Sequence, residues 1–531
     1  MEQLNAIKRE RLHAVRDDIV ARRDLHWEER ASRPSVAEWY AGRSVFMTGG
    51  SGFMGRVLIE LLLRSCPDIG HIYILLRPKK GVDPADRLAV LLGVPLFDRL
   101  RAEQPHALSK VKTVAGDIEA PGLGLSDADR VHLCSEVSVV FHVAASVRFD
   151  DPFRKAVATN LRSTKEVVQL AGDMPKLKAL VHVSTAYTFI NQDPIDERVY
   201  ATDMSWREAL RFAELPDSDK DAIDLIEAKL RGWQPNTYTL TKSLAERLME
   251  EASERLPVII TRPSIVTTSF SDPLPGWIDN LNGQTSFLVA NMKGLLRFVY
   301  GYENTFDSVP VDVAAKAIVL ASWSKGLGIK LSDRQVDVVN VTVGNDFAYR
   351  TDEQFHTGLK HRLQYEIPYP GAIRAPRLRY EACPILYAVL HIYHHLLFGL
   401  VLDLLAPAFG QKPRVLNLYR KAQMGFNATT PFRRKFSFKM ENQRKLQGMT
   451  HPADLKNLDY LNIYNARDNE QEILKNMKFH LRGVLRYALK EDDDVEKTAA
   501  RLKRIEWLMI AYHSFMALIF LGITAYFCNL L

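Results

Sequence analysis

The short apolar run Ser44–Thr48 leads into Thr48-Gly49-Gly50-Ser51-Gly52-Phe53-Met54-Gly55 and then into the helix-like stretch VLIELLLRS. Gly50, Gly52 and Gly55 match GxGxxG, and Gly49, Gly52 and Gly55 match GxxGxxG. In the order strand, glycine turn, helix, near the start of an α/β region, this spacing has a physical meaning. The glycines permit a tight turn and close approach of a pyrophosphate, and the helix N-terminus presents N–H groups and positive dipole to that anion. The alternative is a bare structural turn.

The chain around the turn agrees with a dinucleotide fold. Seven short runs, Ser44–Thr48, His71–Leu76, Val111–Ala115, Val137–Val143, Leu180–Ser184, Val258–Thr261 and Val336–Val341, are rich in β-branched residues and bounded by polar or turn residues. They read as buried strands. Alternation with helical stretches implies a parallel sheet covered on both faces. The expected fold is α/β: a Rossmann-type doubly wound parallel sheet with a substrate lobe, a helical C-terminal domain and a C-terminal transmembrane helix. The 531 residues exceed what one core serves. We therefore expect a charged arm at 1–40, a reductase-like dinucleotide domain at 41–345, a proline-dotted connector at 346–382, a helical domain at 383–490 and an anchor at 505–531.

The second strand ends in Arg77-Pro78-Lys79-Lys80. A site for NAD places an acidic residue here, whereas a basic one suits the 2′-phosphate of NADPH; Lys79 and Lys80 also fit a solvated charge run. Asp117 and Ile118 close the third strand as candidate adenine contacts, with a simple turn aspartate as the other reading. At the end of the fourth strand, His142-Val143-Ala144-Ala145 supplies small residues over which a cofactor can lie. His142 is either part of that site or a satisfied core histidine. The cofactor set is thus Thr48, Gly49, Gly50, Ser51, Gly52, Phe53, Met54, Gly55, Arg77, Asp117, Ile118, Ala144, Asn160 and Lys242.

Tyr238-Thr239-Leu240-Thr241-Lys242 is YxxxK within the helical stretch YTLTKSLAERLMEE. Residues four apart share a helix face, so phenol and ammonium point the same way. The expectation is a cation that lowers the phenol pKa, and a Tyr238 that protonates an oxygen gaining charge during hydride transfer. Lys242 also suits the nicotinamide ribose. In Val183-Ser184-Thr185-Ala186 a hydroxyl can join Tyr238 at the substrate oxygen. Thr185 is preferred, Ser184 is the rival, and one of the two is packing. Asn160 is expected either to hold a relay water for Lys242 or to be a surface or capping amide.

The formal charge of +7 favours an anionic membrane or a phosphorylated substrate, and no nucleic-acid motif is present. Cys66, Cys134, Cys383 and Cys528 form no CxxC pair, so no metal site or disulfide is expected. The charged N-terminus lacks the apolar core of a signal peptide. Leu508–Leu531 is uncharged and apolar. At 1.5 Å per residue it reaches roughly 36 Å, against a hydrocarbon core of roughly 30 Å. Lys497, Arg501, Lys503 and Arg504 precede it and place the body in the cytosol; a buried terminal helix is the alternative. Pro384–Leu402 is a weaker candidate, lying on the membrane or against the core. Its His391, His394 and His395 form no recognisable metal pattern.

Taken together, VFMTGGSGFMGRVLIELLLRSCPDIGHIYILLRPKKG, VFHVAASVRFD, HVSTAY, YTLTKSLAE, RPSIV, DPLPGWIDNLNG and VLNLYRKAQMGF…PFRRKFSF resemble the fatty acyl-CoA reductases, within the extended short-chain dehydrogenase/reductase superfamily. The resemblance covers nearly all of the chain after about residue 36. It implies reduction of a long-chain fatty acyl-CoA to a primary alcohol with two NADPH and release of CoA, at a lipid bilayer facing the cytosol, the endoplasmic reticulum being preferred to the peroxisome. Gly276, Trp277 and Asn280 then either shape the substrate pocket or form a packing turn. Residues 200–234 are expected to form a lobe over the acyl site. Arg433, Arg434, Lys435 and Lys439, interleaved with Phe432, Phe436 and Phe438, are expected to meet phosphates or headgroups, or to be plain domain surface. The rivals are a sugar-nucleotide or steroid dehydrogenase, and a catalytically silent NADPH-binding membrane scaffold.

Overall fold

Seven strands align in parallel; six are buried along their whole length, and the edge strand Val111–Ala115 mixes buried with exposed residues. The strands are β1 (Ser44–Thr48), β2 (Ile72–Leu76), β3 (Val111–Ala115), β4 (Val137–His142), β5 (Ala179–Val183), β6 (Val258–Pro263) and β7 (Asp337–Val341). In this computed structural model the order is β7-β6-β5-β4-β1-β2-β3, and every adjacent pair is parallel. The order reverses beside β1. The C-terminal ends of β1 and β4 therefore flank a crevice, the place where open parallel sheets bind ligands. The structure describes residues 2–77, 81–216, 227–301, 306–344, 363–432, 436–461, 463, 470–491 and 494–528.

The principal helices are α1 (Glu2–Leu25), α2 (Phe53–Ser65), α3 (Ser163–Gly172), α4 (Thr237–Ala252), α5 (Val311–Gly326), α6 (Pro384–Phe409), α7 (Val415–Ala428) and α8 (Val495–Cys528). α3 and α4 cover one sheet face. Their Val167, Leu170, Leu240, Leu244 and Met249 share a core with Phe46, Val140, Leu180 and Ile260. Each such fully buried aliphatic side chain contributes roughly 1.5–3 kcal/mol of transfer free energy. α2 and α5 pack together on the opposite face. The helix Trp206–Ala213, inside the stretch expected to form a lobe, buries Ala209 and Leu210 in the α4 core; residues 217–226 lie outside the described set.

The chain divides into two compact units whose boundaries are not those expected. One contains residues 1–275, 306–348 and 434–470, and the other 276–305, 349–433 and 471–531. The stretch 434–470, expected in the helical domain, belongs with the sheet, and 276–305, expected in the dinucleotide domain, belongs with the helices. The physical reason lies partly in the arm. Arg23 donates to the Gln447 carbonyl (3.2 Å) and pairs with Asp459 (2.9 Å), and Arg30 donates to the Thr450 carbonyl (2.7 Å). α1 is thus a strap over residues 441–461 rather than a free arm. Phe436 and Phe438 are buried, each 5.7 Å from the Tyr187 ring. They are packing residues, which removes them from the expected headgroup-binding face; Arg433, Arg434 and Lys435 lie outside the described residues.

In the helical unit, Gly276 sits at φ +79, and a Cβ on it would lie 2.2 Å from the Phe479 carbonyl oxygen. Asn280 closes a local turn by accepting the Asn282 N–H (2.9 Å). Gly276 is therefore a packing turn, the blander of its two expected roles. Tyr419 hydrogen-bonds His391 at 2.7 Å, and the Arg297 N–H donates to His395 Nε2 at 3.1 Å. Among the described residues no cluster of His, Cys, Asp or Glu is placed to hold a metal ion.

Candidate active site

The glycine turn shows directly why its residues are small. A Cβ on Gly49 (φ +79) would lie 2.6 Å from the Ala144 nitrogen, one on Gly50 would lie 2.7 Å from Ile74 Cγ2, and one on Gly55 would lie 2.2 Å from the Gly49 oxygen. The first two bring β1, β2 and the end of β4 together, and the third lets α2 start against the turn. A Cβ on Gly52 would meet only the Gly49 oxygen, at 3.2 Å. Gly52 caps α2 with no side-chain hydrogen bond, so the N–H groups at that helix start are left for an anion. These features fit a pyrophosphate cradle formed by Thr48–Gly55.

Where the adenine is expected, Arg77 leaves the end of β2 60% exposed, with its Nε 3.1 Å from Asp117 Oδ2. Asp117 Oδ1 accepts the Glu119 N–H (3.0 Å), so this carboxylate serves a turn and an ion pair together. Ile118 packs beside the core. Lys79 and Lys80 fall outside the described residues.

Between the two sides, His142 is fixed by two hydroxyls. The Thr164 hydroxyl donates to the Asn160 carbonyl (2.7 Å), so it accepts from His142 Nε2 (3.0 Å). His142 Nδ1 then accepts from Thr48 (2.7 Å). Burial pushes the imidazole down to about 3, so it is neutral, a satisfied core histidine that ties β1, β4 and α3 together. Asn160 lies in a widened helical turn, Val157–Arg162. Its amide accepts the Ser146 N–H (2.8 Å) and donates to the Ser146 carbonyl (3.2 Å) and to Thr241 (3.0 Å). It is therefore neither a surface amide nor in direct contact with Lys242. It clamps the loop after Ala144 to α4.

The YxxxK face of α4 points to the end of β5. Lys242, 2% exposed, donates to the Val183 carbonyl (2.7 Å). Burial pushes its ammonium down to about 8, opposed by the Glu246 carboxylate. Burial pushes the Tyr238 phenol up to about 12, opposed by a hydrogen bond from Thr185. The expected depression of the phenol by Lys242 is thus corrected. The ammonium is turned to a carbonyl, burial dominates, and Tyr238 stays a protonated donor. The Phe149 ring lies 5.9 Å from Tyr238. β5 and β1 are two positions apart in the sheet, so about 10 Å separates Val183 from the glycine turn at ~4.8 Å per strand.

The adjacent hydroxyls have opposite fates. Ser184 donates to Glu246 (2.5 Å), which also takes the Arg262 guanidinium in two bonds of 2.8 and 2.5 Å with both side chains fully buried. Thr185 reaches Tyr238. Sequence reasoning missed Glu246 and Arg262. Their signals were a carboxylate one turn beyond Lys242 and a charged residue inside an otherwise apolar strand.

A sequence family described as male sterility protein, a nicotinamide-dinucleotide-binding domain, matches residues 47–318. Fatty acyl-CoA reductase wat of Drosophila melanogaster is 32% identical over 495 residues, covering 91% of this chain and 90% of its own. Fatty acyl-CoA reductase 1 of Homo sapiens is 33% identical and covers 84% and 86%. The terminal R domain of the myxalamid PKS-NRPS pathway shares the fold, with a TM-score of 0.53 and 20% identity over 85% of this chain and 93% of that one.

Proposed function

This chain belongs to the fatty acyl-CoA reductase family, and from that premise we propose that it reduces a long-chain fatty acyl-CoA to the primary alcohol with two NADPH, releasing CoA. The observation that carries the proposal is the trio at the end of β5: a half-buried Tyr238 whose phenol stays protonated beside the buried Thr185, with the buried Lys242 anchored on the Val183 carbonyl.

NADPH, when bound, supplies hydride. Thr48–Gly55 fits its pyrophosphate, Arg77 its 2′-phosphate, Asp117 and Ile118 the adenine edge, and Lys242 the ribose beside the nicotinamide, with Ala144 leaving room between them. Asn160 acts through Ser146 and Thr241 as a positioning residue. Tyr238 and Thr185 hydrogen-bond the thioester oxygen as it gains negative charge, and Tyr238 gives its proton to the oxygen that ends as the alcohol. Collapse of the first adduct expels CoA thiolate and leaves aldehyde, and the second hydride gives alcohol. No cysteine nucleophile is needed. Ser184 holds Glu246 and takes no part at the substrate.

α8 is 34 residues long, and its apolar stretch is not buried by the protein. We read it as a single-pass anchor. Lys497, Arg501, Lys503 and Arg504 hold the catalytic body in the cytosol, on the endoplasmic reticulum. Fatty chains and fatty alcohols partition into bilayers while CoA stays in water, so an anchored reductase meets its substrate where it collects. The test is purified chain with palmitoyl-CoA and NADPH. Two NADPH oxidised per CoA released, with hexadecanol formed, supports the reading. Cofactor binding without turnover supports the silent scaffold.

A further inference from the structure

α6 and α8 are both long and apolar enough to cross a membrane, each with mean hydropathy 1.8. Their surroundings differ. α6 is two-sided. Its His395 and Phe398 are buried, and a Cβ on Gly399 would lie 2.8 Å from Leu416 of α7, so that face packs tightly on the hairpin partner. The other face shows Ile385 (77% exposed), Val389, Ile392, Leu400 and Leu404 (70%), spaced as one helical stripe, with Leu386, Leu405 and Phe409 exposed beside it and at the helix end.

Charge marks the rim of this stripe. Lys412, Arg414 and Lys421 are exposed at the turn into α7 and along it. Asp403 is the only carboxylate in 384–432. Both of its oxygens are engaged at the start of α7, accepting the N–H groups of Arg414, Val415 and Leu416 at 2.8, 2.8 and 3.0 Å. An apolar stripe with an uncompensated basic rim is complementary to an anionic lipid leaflet rather than to an aqueous partner.

A third observation sets depth. α6 meets α8 around Tyr512 and His513. Tyr393 and His513 share a hydrogen bond of 2.8 Å, and the rings of Tyr393, His394 and Phe398 contact the consecutive pair Tyr512 and His513. These ring contacts and the hydrogen bond fall on one turn of α8, at Tyr512 and His513. His513 lies five residues beyond Leu508, where the apolar run begins, which is roughly 7.5 Å along the helix. In-plane amphipathic helices rest about 5–10 Å into the headgroup–acyl boundary.

We propose that the α6–α7 hairpin lies in the plane of an anionic leaflet, stripe inward, at the depth set by its contact with α8. This rests on reading α8 as the anchor. The test uses the full chain carrying Cys383→Ser and Cys528→Ser, reconstituted into phosphatidylcholine vesicles with or without phosphatidylserine. A nitroxide is attached at Leu404→Cys, Ile392→Cys, Val389→Cys or, on α8, Leu518→Cys, and its collisions with oxygen and with a water-soluble nickel chelate are measured.

The α6 stripe labels should share one shallow depth, with severalfold less nickel access than in detergent-free water. Phosphatidylserine should deepen them, and Lys412→Glu with Arg414→Glu and Lys421→Glu should cancel that lipid effect. Nickel access at all three stripe positions with Leu518 still deep overturns the hairpin proposal and leaves the anchor. Depth increasing steadily along α6 through the bilayer centre also overturns it, in favour of a second span. Nickel access at Leu518 overturns the anchor itself.

Discussion

At the crevice end of the sheet the chain buries polar side chains; along α6 and α8 it exposes apolar ones. Lys242, Glu246, Arg262, His142 and Asn160 are nearly or wholly inaccessible, while Ile385, Leu404, Trp507 and Leu518 are more than half exposed. Both inversions run against the usual distribution, and they coincide with the proposed active site and the proposed membrane face. In the crevice the polar groups hold one another in fixed directions, which suits the proposed reaction, where the charge on an oxygen changes. On the helices the apolar groups would need no fixed partner if they meet lipid as proposed, because lipid is a fluid one. The difference teaches where precision is required: substitutions in the first region should act through geometry, and in the second through partition.

The largest expected effect comes from breaking the buried pair. Arg262→Met leaves Glu246 charged and unpaired inside the core, at a cost of about 3–5 kcal/mol; urea unfolding of the variant in detergent measures it. A loss under 1 kcal/mol would mean that the buried network is not what holds β6 to α4. Next, Thr185→Val removes one donor from the proposed oxyanion site and should lower kcat by about 10²–10³-fold. Ser184→Ala should leave kcat nearly unchanged and remove about 1–3 kcal/mol of stability, since its bonds to Glu246 and Thr188 are lost. The reverse pattern would exchange the two roles.

Titration gives a smaller but signed effect. Lys242 is depressed from 10.5 to about 8. Activity that requires its ammonium should fall about tenfold per pH unit above pH 8 through loss of a single proton. No second limb from Tyr238 is expected below about 12. Over the same window the unfolded chain binds the proton that the folded chain has lost, so this group's contribution to stability rises with pH from about 8 to 10.5 while activity falls. Parallel pH profiles of rate and unfolding check the opposite signs. Smallest of all, Ile392→Ser with Leu404→Ser should change unfolding in detergent by no more than about 0.5 kcal/mol each, as for exposed positions.

What the sequence revealed was local. The seven strands fall within a residue or two of their expected limits because most are short apolar runs bounded by polar or turn residues, and the glycine turn is legible as a motif although the atoms that demand its small residues, on Ile74 and Ala144, are distant in sequence. The choice between Ser184 and Thr185 was open because consecutive residues at a strand end point to opposite sides, and only the placement of α4 decides which meets Tyr238. The strap made by α1 and the true unit boundaries were hidden because their bonds join residues more than 400 positions apart, such as Arg23 with Gln447. The Tyr238 pKa was misjudged because spacing on a helix does not reveal that Lys242 turns to Val183.

Single-turnover reduction of palmitoyl-CoA by pre-bound NADPH, in wild type and Tyr238→Phe, bears most directly on the claim that a protonated phenol in this crevice drives the chemistry. The account predicts unchanged NADPH affinity and a chemical step slowed by about 10²–10⁴-fold. An undiminished rate in the variant would contradict it.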